Sequence, residues 1–325
     1  MPKVCMINDC AYVGENIIRY LPGRYEAVHI KRSRSLWGKT VGLFWRILRA
    51  DGDLFHVHYL LQDAYLTLKL KRSKPVVAHA HGSDVRSAIH GRWGWMVRYS
   101  IEHADRVLLS APDVLLKARR LRRDVTYIPI PVDLQQFTPQ PFESHDRIVL
   151  LHPYASQTRG SAEVLKAFTR LEKRYGDRYL LLMLDGSITR RLIRELKPRN
   201  VRLFRRRPHS EMVELYRVAD FVVTDMMIGA LPTTSIEAMA CGRPVIQYIK
   251  PGVYGDEIPH PPVLQVRKPD ADSLFEVLVR IQDLDVGGLV KEGRRYVELH
   301  HDARTVAKLV AEVYDEVLQQ RSARL

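Results

Sequence analysis

Short apolar runs alternate with helical patterns along almost the whole chain, and this alternation limits the possible folds more than any other feature. In the first half the apolar runs are KVCMI, EAVHI, DLFHVHYLL, PVVAHAHG, RVLLSA and VTYIPI, and helical patterns occur at 14–21, 37–49 and 112–123. Runs that are apolar on both faces are typical of strands covered by helices on both sides. The pattern predicts an α/β fold with a doubly wound parallel sheet.

A second series of the same kind begins at RIVLLHP. Its helices are predicted at 161–175, 188–196, 211–219 and 234–241. Between the two series lies PVDLQQFTPQPFESHD, whose proline and polar residues indicate an exposed connector. We therefore predict two Rossmann-like domains, residues 1–140 and 141–325, with the boundary between Pro139 and Asp146. The last helix, after Asp302, is expected to pack against the body, and a ligand cleft is expected at the carboxyl ends of the strands.

The composition excludes several classes of protein. No apolar run approaches the roughly 20 residues of a membrane-spanning helix. Asn8 and Asp9 interrupt the segment where a signal peptide would be apolar, so we expect a cytoplasmic protein. The three cysteines, Cys5, Cys10 and Cys241, lack CxxC spacing. This argues against a disulfide framework or a zinc site.

The net charge of +14 lies mainly in the first half of the chain. Residues 1–140 carry 22 Lys and Arg against 12 Asp and Glu. Such a field attracts nucleic acid, anionic lipid or an anionic small molecule. We expect no nucleic-acid partner, because no recognised nucleic-acid module occurs in the sequence.

The segment GALPTTSIEAMACGRPVIQY, residues 229–248, carries the clearest chemical signal. Pro232 suits a first helical turn, and Thr233, Thr234 and Ser235 then offer backbone N–H groups without intrahelical acceptors. Such a helix start binds anions, and a diphosphate is a suitable ligand. Glu237, one turn further, could accept hydrogen bonds from ribose hydroxyls.

Residues 237–246, EAMACGRPVI, closely resemble the EAMACGxPVI signature of the family 4 glycosyltransferases of the GT-B fold. The HGSD turn, HADRVLLSAPDVL, IPIPVDLQQFTP and VRLFRRRPHSEMVELYRVADFVV are similar to further family segments. The resemblance implies two facing Rossmann-like domains. It also implies a metal-independent, hexosyl-type transferase without a cofactor, which moves a sugar from a nucleotide-diphosphate donor to a glycan or lipid-linked acceptor with retention of configuration.

The resemblance also implies roles for single residues. Arg159 and Gly160 match the pair that holds the donor diphosphate, His81 matches the catalytic histidine, and Glu237 matches the second glutamate of an acidic pair.

The chain departs from the family pattern at Ile130 and Pro131, where Asn and Gly are usual, and at three positions expected near the donor. Gly229 stands at the first glutamate, Ser156 at an arginine, and Arg206 at the glycine near the base. Donor orientation at Gly229 would then depend on backbone groups or water. Gly14, in the first βα turn, allows the backbone to approach the donor.

Some features have a structural interpretation beside a functional one. His56, His58 and His79 are interpreted as packed groups, and Asp51-Gly52-Asp53 as a turn rather than a metal triplet. We expect no metal. Residues 31–49 place Trp37, Val41, Phe44, Trp45 and Leu48 on one helical face, which suits either an anionic membrane surface or the core. The basic run 117–123 adds modest support for peripheral membrane binding.

Three alternative functions remain open at the level of the sequence, and the first is nucleic-acid binding, which the basic charge alone suggests. A related two-lobed enzyme could act on the nucleotide sugar itself, as an epimerase or hydrolase. The replacements at Gly229 and Ser156 also permit a non-catalytic protein that binds a ligand or a partner.

Overall fold

The computed structural model describes residues 1–32, 36–39, 41–139, 141–142 and 146–323. The chain divides into two compact units, Met1–Asp133 with His300–Leu325, and Leu134–Leu299. The boundaries drawn from the sequence differ from these units in the placement of residues 134–140 and 300–325. Residues 140 and 143–145 of the predicted connector lie outside the described residues.

The described part of the first unit contains a parallel sheet of six strands in the order β2-β1-β3-β4-β5-β6. The strands are β1 Lys3–Ile7, β2 Glu26–Ile30, β3 Leu54–His58, β4 Val76–Ala80, β5 Arg106–Leu109 and β6 Thr126–Tyr127. The helices are α1 Val13–Tyr20, α2 Leu36–Lys39, α3 Val41–Arg49, α4 Gln62–Leu70, α5 Ser83–Arg86, α6 Gly94–His103 and α7 Leu115–Leu121, with α14 Ala303–Ser322 from the end of the chain.

The described part of the second unit contains a parallel sheet in the order β12-β11-β10-β7-β8-β9. Its strands are β7 Ile148–His152, β8 Tyr179–Leu184, β9 Val201–Phe204, β10 Phe221–Val223, β11 Val245–Tyr248 and β12 Leu264–Val266. Its helices are α8 Ser161–Tyr175, α9 Ser187–Leu196, α10 Met212–Arg217, α11 Thr233–Ala240, α12 Ala271–Arg280 and α13 Gly287–His300.

Alternate residues of β1 belong to different layers of core. Val4 and Met6 pack in one cluster with residues of α1 and α14. Cys5 and Ile7 pack in another with residues of α3 and α4. Successive strand side chains point to opposite faces, so helices cover both faces of this sheet. The predicted doubly wound α/β fold is confirmed.

Helix α14 packs on the first sheet. Asp302 accepts a hydrogen bond from the Arg304 amide at 2.9 Å and caps the helix. Val306, Val310 and Tyr314 are fully buried, whereas Leu309 is 38% exposed. None of the helices in the described ranges is both long enough and apolar enough to cross a bilayer.

Candidate active site

The strand order of the second sheet reverses between β7 and β10. In open α/β sheets, ligands bind outside the carboxyl ends of the strands at such a reversal. Two loops leave the sheet at this point. Residues 153–160 follow β7, and residues 224–232 follow β10 and lead into α11. The second unit therefore brings Arg159, Gly160 and the start of α11 to the same edge of its sheet.

The first turn of α11 presents two backbone donors. Pro232 lies just before the helix in an extended conformation. Within the described part of the chain, no acceptor bonds to the amides of Thr233 and Thr234. Two open amides at the positive end of a helix form a site for an anion.

Ser235 does not offer the free amide that the sequence predicts. Its N–H donates to the Pro232 carbonyl at 3.0 Å. Its buried hydroxyl lies 2.7 Å from Thr224 Oγ1 and 2.6 Å from Gln247 Oε1. Ser235 therefore ties the helix start to the ends of β10 and β11, and its role toward a donor stays a prediction.

Arg159 supplies a partly exposed cation at this edge. Its Nη1 lies 3.1 Å from Oδ2 of the fully buried Asp225, while its own side chain is 28% exposed. Asp225 also accepts the amides of Met227 and Ile228 at 2.9 and 3.0 Å. The carboxylate thus holds both the arginine and the loop after β10.

Gly160 and Tyr154 complete this arrangement. Gly160 has φ +76°, and a Cβ there would lie 2.4 Å from Met226 Cβ, so a larger residue does not fit. Tyr154 hydrogen-bonds the Thr234 hydroxyl. The Arg159 guanidinium carbon lies 5.4 Å from the Tyr154 ring centre. Tyr154 thereby connects the arginine to the open end of α11.

Gly229 occupies a position that excludes any side chain. Its φ is +80°, and a Cβ would lie 2.4 Å from Lys250 Cβ and 2.5 Å from Lys250 N. The Lys250 amide donates to the Gly229 carbonyl at 3.1 Å. An acidic residue at 229 would require the backbone at Lys250 to move. The conformation of this loop therefore has no space for the glutamate that the family has at position 229.

Glu237 is buried and held by two side chains. One oxygen lies 2.6 Å from His209 Nε2, and the other accepts a hydrogen bond from the Tyr216 hydroxyl at 2.8 Å. Burial, with Glu237 nearby, holds the pKa of Tyr216 well above its usual value, so the phenol remains a donor. A carboxylate has about four acceptor sites, so these two contacts do not use its full acceptor capacity. His209 is not among the residues predicted from the sequence, because no spacing signal separates it from the surrounding basic residues.

Arg206 is exposed and Ser156 is half-buried. Arg206 follows β9, and no hydrogen bond or ion pair within the described residues joins it to α11. The Ser156 hydroxyl hydrogen-bonds Thr158 at 2.9 Å. Neither side chain contacts Arg159 or the start of α11 within the described residues. The role of Arg206 near the base of the donor nucleotide stays a prediction.

The first sheet reverses its order between β1 and β3, and His81 follows the neighbouring strand β4. Non-glycine residues with positive φ cluster after β1 and β3: Asn8, Ala11, Tyr12 and Tyr59. Such backbone strain is concentrated at functional sites in proteins. His81 Nε2 lies 2.7 Å from His58 Nδ1, and burial lowers the pKa of His81 to about 3. His81 is therefore neutral at physiological pH.

Gly14 lies at the start of α1, where its amide is already engaged. The Asp9 carboxylate accepts the amides of Gly14 and Glu15 at 2.8 and 3.2 Å. A Cβ at Gly14 would lie 2.8 Å from His58 Nε2. The missing side chain makes room for this imidazole, and the predicted contact with a donor stays a prediction.

His56, His58 and His79 are fully buried, and their ring nitrogens lie close enough together to hold a metal ion. Their rings are stacked with interplanar angles of 15° to 28°. His56 hydrogen-bonds Tyr314 at 2.5 Å and His79 at 3.1 Å, and His79 hydrogen-bonds Ser110 at 2.8 Å. An ion would have to break these bonds, so the arrangement fits the packed interpretation of these residues. In the other candidate, Asp51-Gly52-Asp53, Asp53 accepts the Lys3 amide at 2.9 Å.

Two family models cover most of the chain between them. The family model described as Glycosyltransferase Family 4 matches residues 12–136, and the model described as Glycosyl transferases group 1 matches residues 134–260. No curated protein sequence matches the chain significantly.

Solved structures resemble nearly the whole chain. Sucrose-phosphate synthase from Thermosynechococcus elongatus aligns with a TM-score of 0.76 at 18% identity, covering 98% of this chain and 100% of that one. Anabaena HepE in complex with UDP-glucose aligns at 0.74 and 14%, covering 97% and 100%. MnaA of S. aureus with UDP aligns at 0.64 and 12%, covering 98% of both chains. These structures share the fold of the chain, and the two family models, which together match residues 12–260, show that the chain belongs to the family 4 glycosyltransferases of the GT-B fold.

Proposed function

We propose that this protein transfers a hexosyl group from a nucleotide-diphosphate sugar to a hydroxyl of a glycan or lipid-linked acceptor, with retention of the anomeric configuration. The second unit binds the donor and the first unit binds the acceptor. The observation that supports this most directly is the open amino-terminal end of α11 beside Arg159. Similar structures hold UDP or UDP-glucose, which agrees with a nucleotide donor.

The proposed chemistry is stabilisation of the leaving diphosphate. The amides of Thr233 and Thr234 and the Arg159 guanidinium hold the phosphates, and Glu237 accepts hydrogen bonds from the ribose. Fixed donors aimed at developing negative charge are an effective source of rate acceleration. His81, which is neutral, donates or accepts a hydrogen bond near the sugar without adding charge. Since these groups supply the electrostatic stabilisation, turnover is proposed to be independent of a metal and of any cofactor.

The donor site is tested by calorimetric binding of UDP and by turnover with a panel of nucleotide sugars. We expect Arg159→Ala to weaken UDP binding about 10- to 100-fold, because a hydrogen bond to a charged group contributes about 1.5–3 kcal/mol. Glu237→Gln should reduce binding or turnover. Both effects should persist in EDTA, and NMR of the product should show the anomeric configuration of the donor.

The matched control is Arg170→Ala, which removes another Arg–Asp pair, with Asp272, from the surface of the same unit. It should bind UDP like the unmodified protein. Unchanged binding and turnover in both Arg159→Ala and Glu237→Gln would refute the assignment. Consumption of the nucleotide sugar without any acceptor would favour the epimerase or hydrolase alternative.

We also propose that residues 31–49 bind an anionic membrane surface. Helix α3 buries Leu43 and Ile47, while Trp37, Val41, Trp45 and Leu48 are 41–76% exposed. The predicted stripe therefore faces away from the core, apart from the half-buried Phe44. Residues 33–35 and 40 lie outside the described residues.

Cationic groups adjoin this apolar surface. A cavity of about 570 Å³ beside Trp45 is lined by residues that include Lys31, Arg46 and Arg49. Exposed aromatics beside cations suit the headgroup region of a bilayer. The basic run 117–123 offers a second contact, and Leu116, immediately before it, is 69% exposed.

Sedimentation with phosphatidylcholine vesicles, with and without phosphatidylserine, tests this proposal. We expect binding only when phosphatidylserine is present. The double variant Trp37→Ser/Trp45→Ser should lose most of it, whereas Trp93→Ser, another exposed tryptophan of the first unit, should keep it. Equal sedimentation of both variants would contradict the proposal.

A further inference from the structure

A cavity of about 720 Å³ lies in the first unit beside the turn that contains His81. Residues that line it include Arg32, Tyr59, Asp63, Ser83, Ser87 and Trp93. All of them belong to the first unit. Its volume is that of a typical small-molecule site.

Asp63 is the chemically unusual group in this cavity. Its side chain is fully buried, and neither carboxylate oxygen has a hydrogen-bond partner within the described ranges. Arg32 Nη1 lies 3.8 Å from Oδ2, which exceeds hydrogen-bond distance. Buried polar groups are almost always hydrogen-bonded, because an unpaired one lowers stability. A buried carboxylate without a donor, on the wall of a cavity, indicates that a ligand supplies the donor.

The backbone around Asp63 is held in place by its neighbour Asp84. Asp84 accepts the Leu60 amide at 3.3 Å and the His81 amide at 3.0 Å. It therefore ties the loop after β3, which leads into α4 and Asp63, to the turn after β4. Since both Asp84 oxygens are occupied in this way, Asp63 is the open carboxylate of the pair.

The other lining groups narrow the class of ligand. Trp93, Tyr59 and Met96 provide apolar surface, while Ser83 and Ser87 provide hydroxyls. Arg32 partly balances the charge of Asp63, so the cavity suits an uncharged molecule with hydroxyl donors rather than a cation or a phosphate. Carbohydrates combine hydroxyl groups with apolar C–H faces that pack on aromatic rings.

We propose that this cavity binds a carbohydrate, one of whose hydroxyls donates a hydrogen bond to Asp63, and that this carbohydrate is the acceptor of the transfer. The second part rests on the proposed function. Asp63 acts here as a binding and specificity residue.

Two variants of the full chain test the proposal. Asp63→Asn removes the charged acceptor with little change in volume, and Ser87→Trp fills the cavity from an exposed position. The control is Asp51→Asn, an exposed aspartate of the same unit. Each protein is applied to an array of immobilised oligosaccharides, and the oligosaccharide bound most strongly is titrated in solution by calorimetry. UDP is titrated separately.

We expect the unmodified chain and Asp51→Asn to bind the same oligosaccharide, and both cavity variants to bind it at least tenfold more weakly with unchanged UDP affinity. Absence of carbohydrate binding in a chain that binds UDP would overturn the cavity proposal and leave the donor site intact. Binding that neither variant affects would also overturn it. Binding that Ser87→Trp abolishes, without sugar transfer to that oligosaccharide, would support carbohydrate binding in the cavity and refute the second part of the proposal, that the bound carbohydrate is the acceptor.

Discussion

The buried carboxylate of Asp63 lowers the free energy of unfolding at neutral pH. Burial raises the pKa of Asp63 from 3.8 to about 6, with Arg32 opposing and Asp84 adding to the shift. The folded protein therefore holds this proton more tightly than the unfolded chain does. Stability from this group is fully present below pH 4 and is lost as the pH rises through 6.

Asp63→Asn should therefore stabilise the protein at pH 8. Two pK units correspond to about 3 kcal/mol as an upper limit, so we expect the free energy of unfolding to rise by roughly 1–3 kcal/mol at pH 8 and to change little at pH 4. Urea unfolding at both pH values measures this, with Asp51→Asn as the neutral comparison. Loss of stability at pH 8 would mean that the ionised carboxylate is well satisfied in the folded state.

Single residues of the donor site differ in how far the sequence predicts them. Arg159, Gly160 and Glu237 are identified by their place in motifs. The backbone of Lys250 leaves no space for a side chain at position 229. The Ser235 amide is unavailable to a ligand because it donates to the Pro232 carbonyl at the start of the helix. Neither kind of contact leaves a pattern in the sequence. The first joins residues that are distant in the chain, and the second depends on the backbone conformation of a single turn.

At the scale of elements, periodicity predicts most of the structure. The helix predicted at 161–175 agrees with α8, Ser161–Tyr175, because its apolar residues keep helical spacing throughout. Helix α4, Gln62–Leu70, was not predicted, since its apolar residues continue directly from the run DLFHVHYLL. The placement of α14 on the first unit depends on long-range packing that local patterns do not contain.

Arg243 shows how the signature segment also serves the architecture of the second unit. Its guanidinium is 1% exposed and donates to the carbonyls of Tyr216, Arg217 and Pro141 at 2.7, 2.9 and 2.8 Å. Two of these carbonyls end α10, whose last carbonyls lack intrahelical partners. The position before the PVI of the motif thus joins α10 to the segment ahead of β7, a role that resemblance to the signature does not indicate.

For the molecule as a whole, the distribution of buried histidines makes the two units differ in their response to acid. Most buried histidines of the first unit lie in the stack beside His81. Burial lowers the pKa of His56 to about 3, and it lowers the pKa values of His58 and His79 well below 6.5. His301, also in the first unit, is lowered to about 4. In the second unit, burial lowers the pKa of His152 to about 4.

These lowered pKa values determine whether the free energy of unfolding rises or falls with pH. Below pH 6.5 the unfolded chain takes up protons on these imidazoles, whereas the folded chain does not until the pH approaches the lowered values. The free energy of unfolding therefore falls as the pH drops below 6.5, by roughly 1.4 kcal/mol per imidazole and pH unit. The first unit, with five such imidazoles including His81, loses stability faster than the second.

We therefore expect the first unit to unfold before the second between about pH 6 and pH 4. All four tryptophans, Trp37, Trp45, Trp93 and Trp95, belong to the first unit, so tryptophan fluorescence follows that unit alone. Hydrogen exchange by mass spectrometry on peptides from 148–299 follows the other unit.

His90→Gln, which changes an exposed histidine, should leave the fluorescence midpoint unchanged. His56→Phe, which removes a buried titrating group, should move the midpoint to lower pH if the variant folds. Proton uptake on unfolding at pH 5.5, from calorimetry in buffers of different ionisation enthalpy, gives a second measure that needs no variant. Coincident transitions of the two units, or uptake of fewer than about two protons, would contradict the view that the buried imidazoles set the acid stability.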